Sequence, residues 1–311
     1  MNEKRRNGMS NVVIKAGPAV IEKMKNEYQD YLLTKKIPYT SFAAKKNGTV
    51  ITAYTSGKVM FQGAGAEQEA SRWGTASETK KAAKTTSSLP ANFSQLSVLG
   101  SDEVGNGSYF GPLVVCAAYA DRAHLDELKK IGVRDSKELK DSQIILLAEK
   151  IKTLIPYQQL IVTPKKYNEI QPKYNAVRMK VALHNQAIQL LLKKIAPEKP
   201  EAILIDQFTP EANFKKYAKL EKEPVTEKIY FITKGEQYHL SVAAASIICR
   251  ASFLEELAKA SQETGMEIPS GAGTKSDQVA ARLLKKGGLP LLENYAKLHF
   301  ANTEKAQKLV K

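Results

Sequence analysis

The chain has 311 residues, more than one domain usually holds, and its 43% hydrophobic and 25% charged side chains are those of an ordinary globular protein. No stretch approaches the ~20 apolar residues that cross a bilayer, and the basic start MNEKRRNGMS has no apolar run behind it, which excludes a secretory signal; Met9 is an equally good start. Forty-seven Lys and Arg against 32 Asp and Glu leave a charge of +15, which favours a polyanionic partner: nucleic acid, or as the alternative an anionic membrane surface.

The predicted elements begin with a helix over 18–34, where Val20, Met24, Tyr28 and Tyr31 recur at helical spacing. Short alternating runs follow at Tyr39–Ala44, Val50–Tyr54 and Lys58–Gln62, separated by the hairpin signals Asn47-Gly48 and Ser56-Gly57. A helix over Ala66–Trp73 completes a small α+β unit, residues 1–75. The first 90 residues carry 15 basic and 7 acidic side chains, against 32 and 25 in the other 221, so this unit is the more basic per residue. Lys45, Lys46, Lys58, Tyr54 and Phe61 form its candidate binding face. The competing reading makes Phe61 and Val59 its core and the lysines a solvated edge. Residues 74–96 are rich in Ser, Thr, Ala and Lys without an apolar period, and a linker is expected over 76–96.

Residues 97–311 read as a larger α/β domain. Strands are predicted at 97–102, 110–120, 157–163, 202–207 and 229–233. Long helices are predicted at 136–153, 176–196 and 239–260, with shorter ones near 276–286 and 289–298. Strand pairs early and βα alternation later imply a mixed sheet flanked by helices. Cys116 and Cys249 lie in the apolar runs LVVCAAYA and ASIICRAS, as small buried hydrophobes rather than a disulfide or a metal site, which suits a reducing cytoplasm.

Three of the apolar strands run into acids. Asp102-Glu103 ends the first and is followed by Val104-Gly105-Asn106-Gly107. Successive strand residues face opposite ways, so both carboxylates share one site only if the strand breaks there, and Gly105 and Gly107 make a break or bulge the expectation. Asp206 closes Ala202–Ile205, on the rim where α/β sheets bind ligands. Glu236 follows Ile229–Thr233 and precedes the apolar Val242–Ile248; a plain helix-start carboxylate is an equal reading there. Carboxylate oxygens are hard ligands suited to Mg2+ or Mn2+. Two such ions roughly 3.5–4 Å apart can activate water and stabilise the leaving oxygen in phosphodiester cleavage. Spacing alone does not bring these distant acids together.

A resemblance does. Gly100-Ser101-Asp102-Glu103-Val104-Gly105, continuing to Tyr109-Phe110-Gly111-Pro112, then Asp135-Ser136-Lys137 with Leu139, then Ile205-Asp206, then Lys234-Gly235-Glu236 with Ser241–Ile248, resemble in order the motifs of a type 2 ribonuclease H. Glu236 in place of the Asp usual in ribonuclease HII, and the N-terminal stretch Tyr54–Gly63, make the chain similar to ribonuclease HIII over essentially its whole length. The resemblance implies an RNase H-like fold behind a small TATA-box-binding-protein-like α+β domain that grips the substrate, through Lys58 among others. It implies endonucleolytic cleavage of the RNA strand of RNA–DNA hybrids with Mg2+ or Mn2+. Asp102, Glu103, Asp206 and Glu236 would be both the catalytic and the metal residues, Asp102 and Asp206 central, Glu103 and Glu236 completing the cluster or orienting water. Gly105, Asn106 and Gly107 would approach the minor groove, where the 2′-hydroxyls lie, unless they are a simple tight turn. Lys137 would contact phosphate or ribose, unless Asp135-Ser136 merely cap a helix. Ribonuclease HII has Arg between the two glycines; Asn106 here favours substrates with several consecutive ribonucleotides over a single embedded one. His184 is expected to be packed or on the surface; His239 and His299 could approach the site, but a metal mechanism needs neither. A cytoplasmic monomer without membrane or obligate protein partner is expected. The competing readings are a DNA-cutting nuclease of the same fold, resolvase- or transposase-like, and a non-catalytic nucleic-acid-binding protein.

Overall fold

The computed structural model describes residues 11–34, 40–73 and 89–310. The chain forms two compact units, Met1–Thr85 and Thr86–Lys311.

The first unit contains β1 (Asn11–Lys15), α1 (Pro18–Glu27), β2 (Thr40–Lys46), β3 (Thr49–Tyr54), β4 (Lys58–Gln62) and α2 (Ala66–Ser71). The antiparallel sheet has the order β1-β4-β3-β2. β1 went unanticipated, because Asn11–Lys15 has no hairpin signal beside it, unlike the equally short Lys58–Gln62. α1 starts on Pro18 at its first position and stops at Tyr28, short of the expected 34. Alternation sends Phe42, Ala44, Ile51, Ala53, Val59 and Phe61 into one core with Met24, Tyr28, Ala66 and Ala70. Phe61 is therefore core, not binding face. Lys46 also turns to the helix side, its Nζ 5.6 Å and 5.4 Å from the ring centroids of Tyr28 and Tyr31. On the opposite face, register places Lys15 beside Lys58, Val13 and Thr52 beside Met60, and Lys45 beside Val50. That face shows three exposed lysines around half-buried Val13, Val50 and Met60.

The second unit contains β5 (Val98–Val104), β6 (Leu113–Ala120), α3 (Leu125–Lys130), α4 (Asp141–Leu154), β7 (Tyr157–Val162), α5 (Pro164–Ile170), α6 (Ala176–Ile195), β8 (Ala202–Asp206), α7 (Glu211–Ala218), β9 (Ile229–Ile232), α8 (Leu240–Thr264), α9 (Thr274–Leu292) and α10 (Ala301–Val310). Its sheet runs β7-β6-β5-β8-β9. β7, β6 and β5 are antiparallel neighbours, while β8 and β9 run parallel to β5. This is the mixed sheet expected from the pattern. α3, α5, α7 and α10 were not expected. α9 is broken at Gly287-Gly288, so the second short helix ends at Leu292 rather than 298. One sheet face packs α3, α4, α8, α9 and α10; the other packs α6 and α7. Most of the expected linker, 76–88, lies outside the described residues. Its last part does not behave as a linker: Phe93 is buried with Val98, Leu204 and Tyr230. Cys116 and Cys249 are buried and unbridged. No described helix is long and apolar enough to cross a membrane.

Candidate active site

β5 does not break at Asp102-Glu103. Its ladder with β6 continues regularly through Asp102–Cys116, Glu103–Val115 and Val104–Val114. The two carboxylates therefore leave opposite faces of the sheet. Gly100, two residues before Asp102, lies hard against α8, where any Cβ would run into Ser241 and Val242. Asp102 faces the same helix: Ser246 bonds its carboxylate, and the Cys249 thiol donates to its backbone carbonyl at 3.4 Å. Glu103 faces α6 with Leu99 and Ser101. Its Oε1 accepts from Lys180 Nζ at 2.8 Å, and its Oε2 lies 3.0 Å from His184 Nε2. The expected break comes two residues later, at Gly105, whose φ is +97°.

Parallel pairing brings the other acids to the same sheet end. Ser101 pairs with Ile205, which sets Asp206 level with Asp102, and Asp206 in turn pairs with Ile232 of β9. The Gly235 N–H donates to Asp206 Oδ1 at 2.9 Å, closing the turn that carries Glu236. Lys234, at φ +62°, makes the sharp reversal. Glu236 is buried; one oxygen accepts from Lys137 Nζ at 3.2 Å, and Oε2 is buried with no partner. Asp135 caps the short turn 136–138 through the Lys137 N–H, as a capped turn predicts, and the Lys137 side chain, 74% exposed, reaches Glu236. Ser136 and Ser246 join hydroxyls at 3.1 Å, tying that turn to the helix behind Asp102.

The electrostatics are those of crowded carboxylates. Burial first, then the charges of Glu103 and Asp206, push the Asp102 carboxyl well above its ordinary range. Asp206 is raised by burial and by Glu236 and Glu103, against the Gly235 hydrogen bond. Glu103 goes the other way: burial opposes its ionisation, but the His184 hydrogen bond and the charges of His184 and Lys180 outweigh it. Partial burial works against the Lys137 ammonium, but Glu236 more than compensates and raises its pKa.

The donor set fits a hard divalent cation: every donor is a carboxylate oxygen, one oxygen of Glu236 is buried without a partner, and the cluster lacks enough positive charge to relieve Asp102 and Asp206. Among the described residues no three such groups are already drawn to coordinating spacing. Glu103 instead leans on Lys180 and Glu236 on Lys137.

Of the other expected residues, Gly105, Asn106 and Gly107 follow β5 directly at the same sheet end, Asn106 and Gly107 exposed. Lys58 lies in the first unit, on the lysine-bearing sheet face. His184 is packed, as expected, but against Glu103. Neither His239 nor His299 joins the carboxylates: His239 caps α8 and bonds the Leu96 carbonyl, and His299 stacks on Tyr167. Lys180, Ser136 and Ser246 were missed. Lys180 and His184 stand four apart, on one helix face, and a lysine on an otherwise apolar stripe was the available signal.

A mixed five-stranded sheet with acids at the ends of its first, fourth and fifth strands defines a nuclease of the ribonuclease H class. The family model described as ribonuclease HII matches residues 99–303. A second, a domain of unknown function (DUF3378), matches residues 11–86. Ribonuclease HIII of Enterococcus faecalis is 66% identical over 302 residues, covering 96% of this chain and 99% of that protein. Ribonuclease HIII of Listeria monocytogenes is 48% identical, covering 97% and 100%. Among solved structures, Bst-RNase HIII in complex with Mn2+ superposes with a TM-score of 0.70 at 41% identity, over 97% of this chain and 99% of that one. The chain belongs to the ribonuclease HIII family: it is a ribonuclease H, a hydrolase that cuts within RNA–DNA hybrids.

Proposed function

We propose that the cut falls on the RNA strand at the sheet end bearing Asp102, Glu103, Asp206 and Glu236, and that these four side chains hold Mg2+ or Mn2+. The observation that carries this reading is the presence of four carboxylates from β5, β8 and the turn after β9 at one end of the sheet, with Asp102 and Asp206 held above their ordinary range by burial and by their acidic neighbours. Bound divalent cations would supply an activated water and charge stabilisation at the phosphate. The protein's share is positioning. Ser246 and the Glu103 N–H fix Asp102, the Gly235 N–H fixes Asp206, and Lys137 holds Glu236 while its exposed stem leaves it free to meet a phosphate or ribose. The loop of Gly105, Asn106 and Gly107 reads the minor groove, and Asn106 favours runs of ribonucleotides. The lysine-bearing sheet face of the first unit, Lys58 included, grips the hybrid by its phosphates. The enzyme acts as a monomer in the cytoplasm.

Labelled hybrid, duplex DNA and duplex RNA, each incubated with Mg2+, Mn2+ or chelator, test the reading. Loss of RNA only from the hybrid, and only with metal, is expected. Asp102→Asn and Asp206→Asn should each lower turnover by at least ~100-fold while hybrid binding persists; near-normal turnover in either variant would overturn the assignment.

A further inference from the structure

Glu103 is the best-tethered member of the cluster, and its tethers come from one helix. Lys180 and His184 sit one turn apart on α6, both buried, with one bond to each carboxylate oxygen. They are themselves fixed. His184 Nδ1 lies 2.7 Å from the Ser101 hydroxyl, which accepts from it because its own proton goes to the Cys116 carbonyl at 2.9 Å. The Phe208 ring, two residues beyond Asp206, stacks on His184 at 4.9 Å with 22° between planes. The same ring lies 4.1 Å from Lys180 Nζ. Phe208 packs in turn on Phe214 of α7. An ammonium 7% exposed, against a carboxylate 10% exposed, is screened little by solvent. Lys137, the other lysine of the site, is three-quarters exposed and lacks this setting.

We propose that Lys180, beside the His184 ring that shares the same carboxylate, is a built-in counter-ion of the cluster, so that a divalent cation reaching Glu103 competes with it. A fixed positive charge 2.8 Å from a ligand oxygen opposes a second positive charge at the same carboxylate. Lys180 is thus a positioning residue that makes Glu103 the ligand most reluctant to take up metal. The inference rests on Glu103 being a cation ligand, and the experiment separates the two ideas.

Mn2+ is titrated into the full chain and free Mn2+ is followed by electron paramagnetic resonance, for wild type, Glu103→Gln, Lys180→Met and Lys180→Arg. Glu103→Gln should weaken binding roughly tenfold or more. Lys180→Met should tighten it by roughly tenfold, and Lys180→Arg, which keeps the charge though not the shape of the ammonium, should bind less tightly than Lys180→Met. Unchanged or weaker binding in folded Lys180→Met, with Glu103→Gln weakened, overturns the counter-ion and leaves the ligand. Unchanged binding in Glu103→Gln removes the ligand itself. Should Lys180→Met not fold, 15N-lysine NMR of the wild type decides: the buried ammonium signal must move on saturation with Mg2+, and a signal that stays put overturns the proposal.

Discussion

Asp102 is held where its charge is least welcome. Its carboxyl titrates above the ordinary range in the folded chain because burial and its acidic neighbours disfavour the anion. As pH rises past about 4 the unfolded chain gives up this proton first, so the metal-free protein loses stability from there to the folded value and carries the full penalty beyond it. Asp102→Asn should therefore raise the metal-free melting temperature near neutral pH by about 3 °C or more, flatten its pH dependence, and abolish part of the Mn2+-induced gain. Calorimetry with and without chelator checks this; a lower metal-free Tm would contradict it. Gly105 shows the opposite economy, a residue kept for its backbone. A methyl there would meet the Pro112 carbonyl and the Phe253 ring at a φ of +97°. Gly105→Ala should cost about 2 kcal/mol or more in a urea melt.

At the level of elements, α8 depends on an unusual cap. The Ser241 N–H donates to His239 Nδ1 at 3.1 Å, so Nε2 carries the proton and gives it to the Leu96 carbonyl at 3.0 Å. Burial presses this imidazole down to about 4. The unfolded ring protonates near 6.5, so between there and about 4 acid favours the unfolded chain, and below 4 the effect levels off. His239→Asn keeps a side-chain cap and removes the titration. The difference between the wild-type and variant stability curves should be flat above pH 6.5 and slope steadily between 6.5 and 4; a flat difference throughout would refute the cap's role. The elements also show where the sequence was informative. Asp206 was legible because Ala202–Ile205 is a strand buried on both faces whose last polar residue can only be at the rim. Glu236 looked like any helix-start acid, since its neighbours in space come from β8 and the 135–138 turn, and only the motif order placed it. The supposed break at Asp102-Glu103 was wrong because two carboxylates need not share a sheet face to share a sheet end. Lys180 and His184 stayed hidden because their partner lies 77 and 81 positions away.

For the whole molecule, the charge of +15 divides into +8 over the first 90 residues and +7 over the other 221, so the first unit is the more basic per residue. Lys15, Lys45 and Lys58 share one sheet face of the first unit. Replacing all three by Ala should weaken hybrid binding and reduce the slope of log K against log salt by about 2–3, at 0.7–0.9 per phosphate contact, with the metal requirement for cleavage unchanged. Fluorescence anisotropy across a salt series reads the slope directly; an unaltered slope would assign binding to another surface. In the second unit, the unbroken run of β5 has a consequence for how the enzyme can vary. Asp102 answers to α8 and Glu103 to α6, so the two carboxylates pack against separate hydrophobic layers, one holding Ile247 and Ile248, the other Ile188 and Phe214. Second-site revertants of a damaged Glu103 should therefore map to the layer of α6 and α7, and those of a damaged Asp102 to the layer of α8. The sheet thus backs two neighbouring carboxylates with two separate cores, each able to vary without disturbing the other.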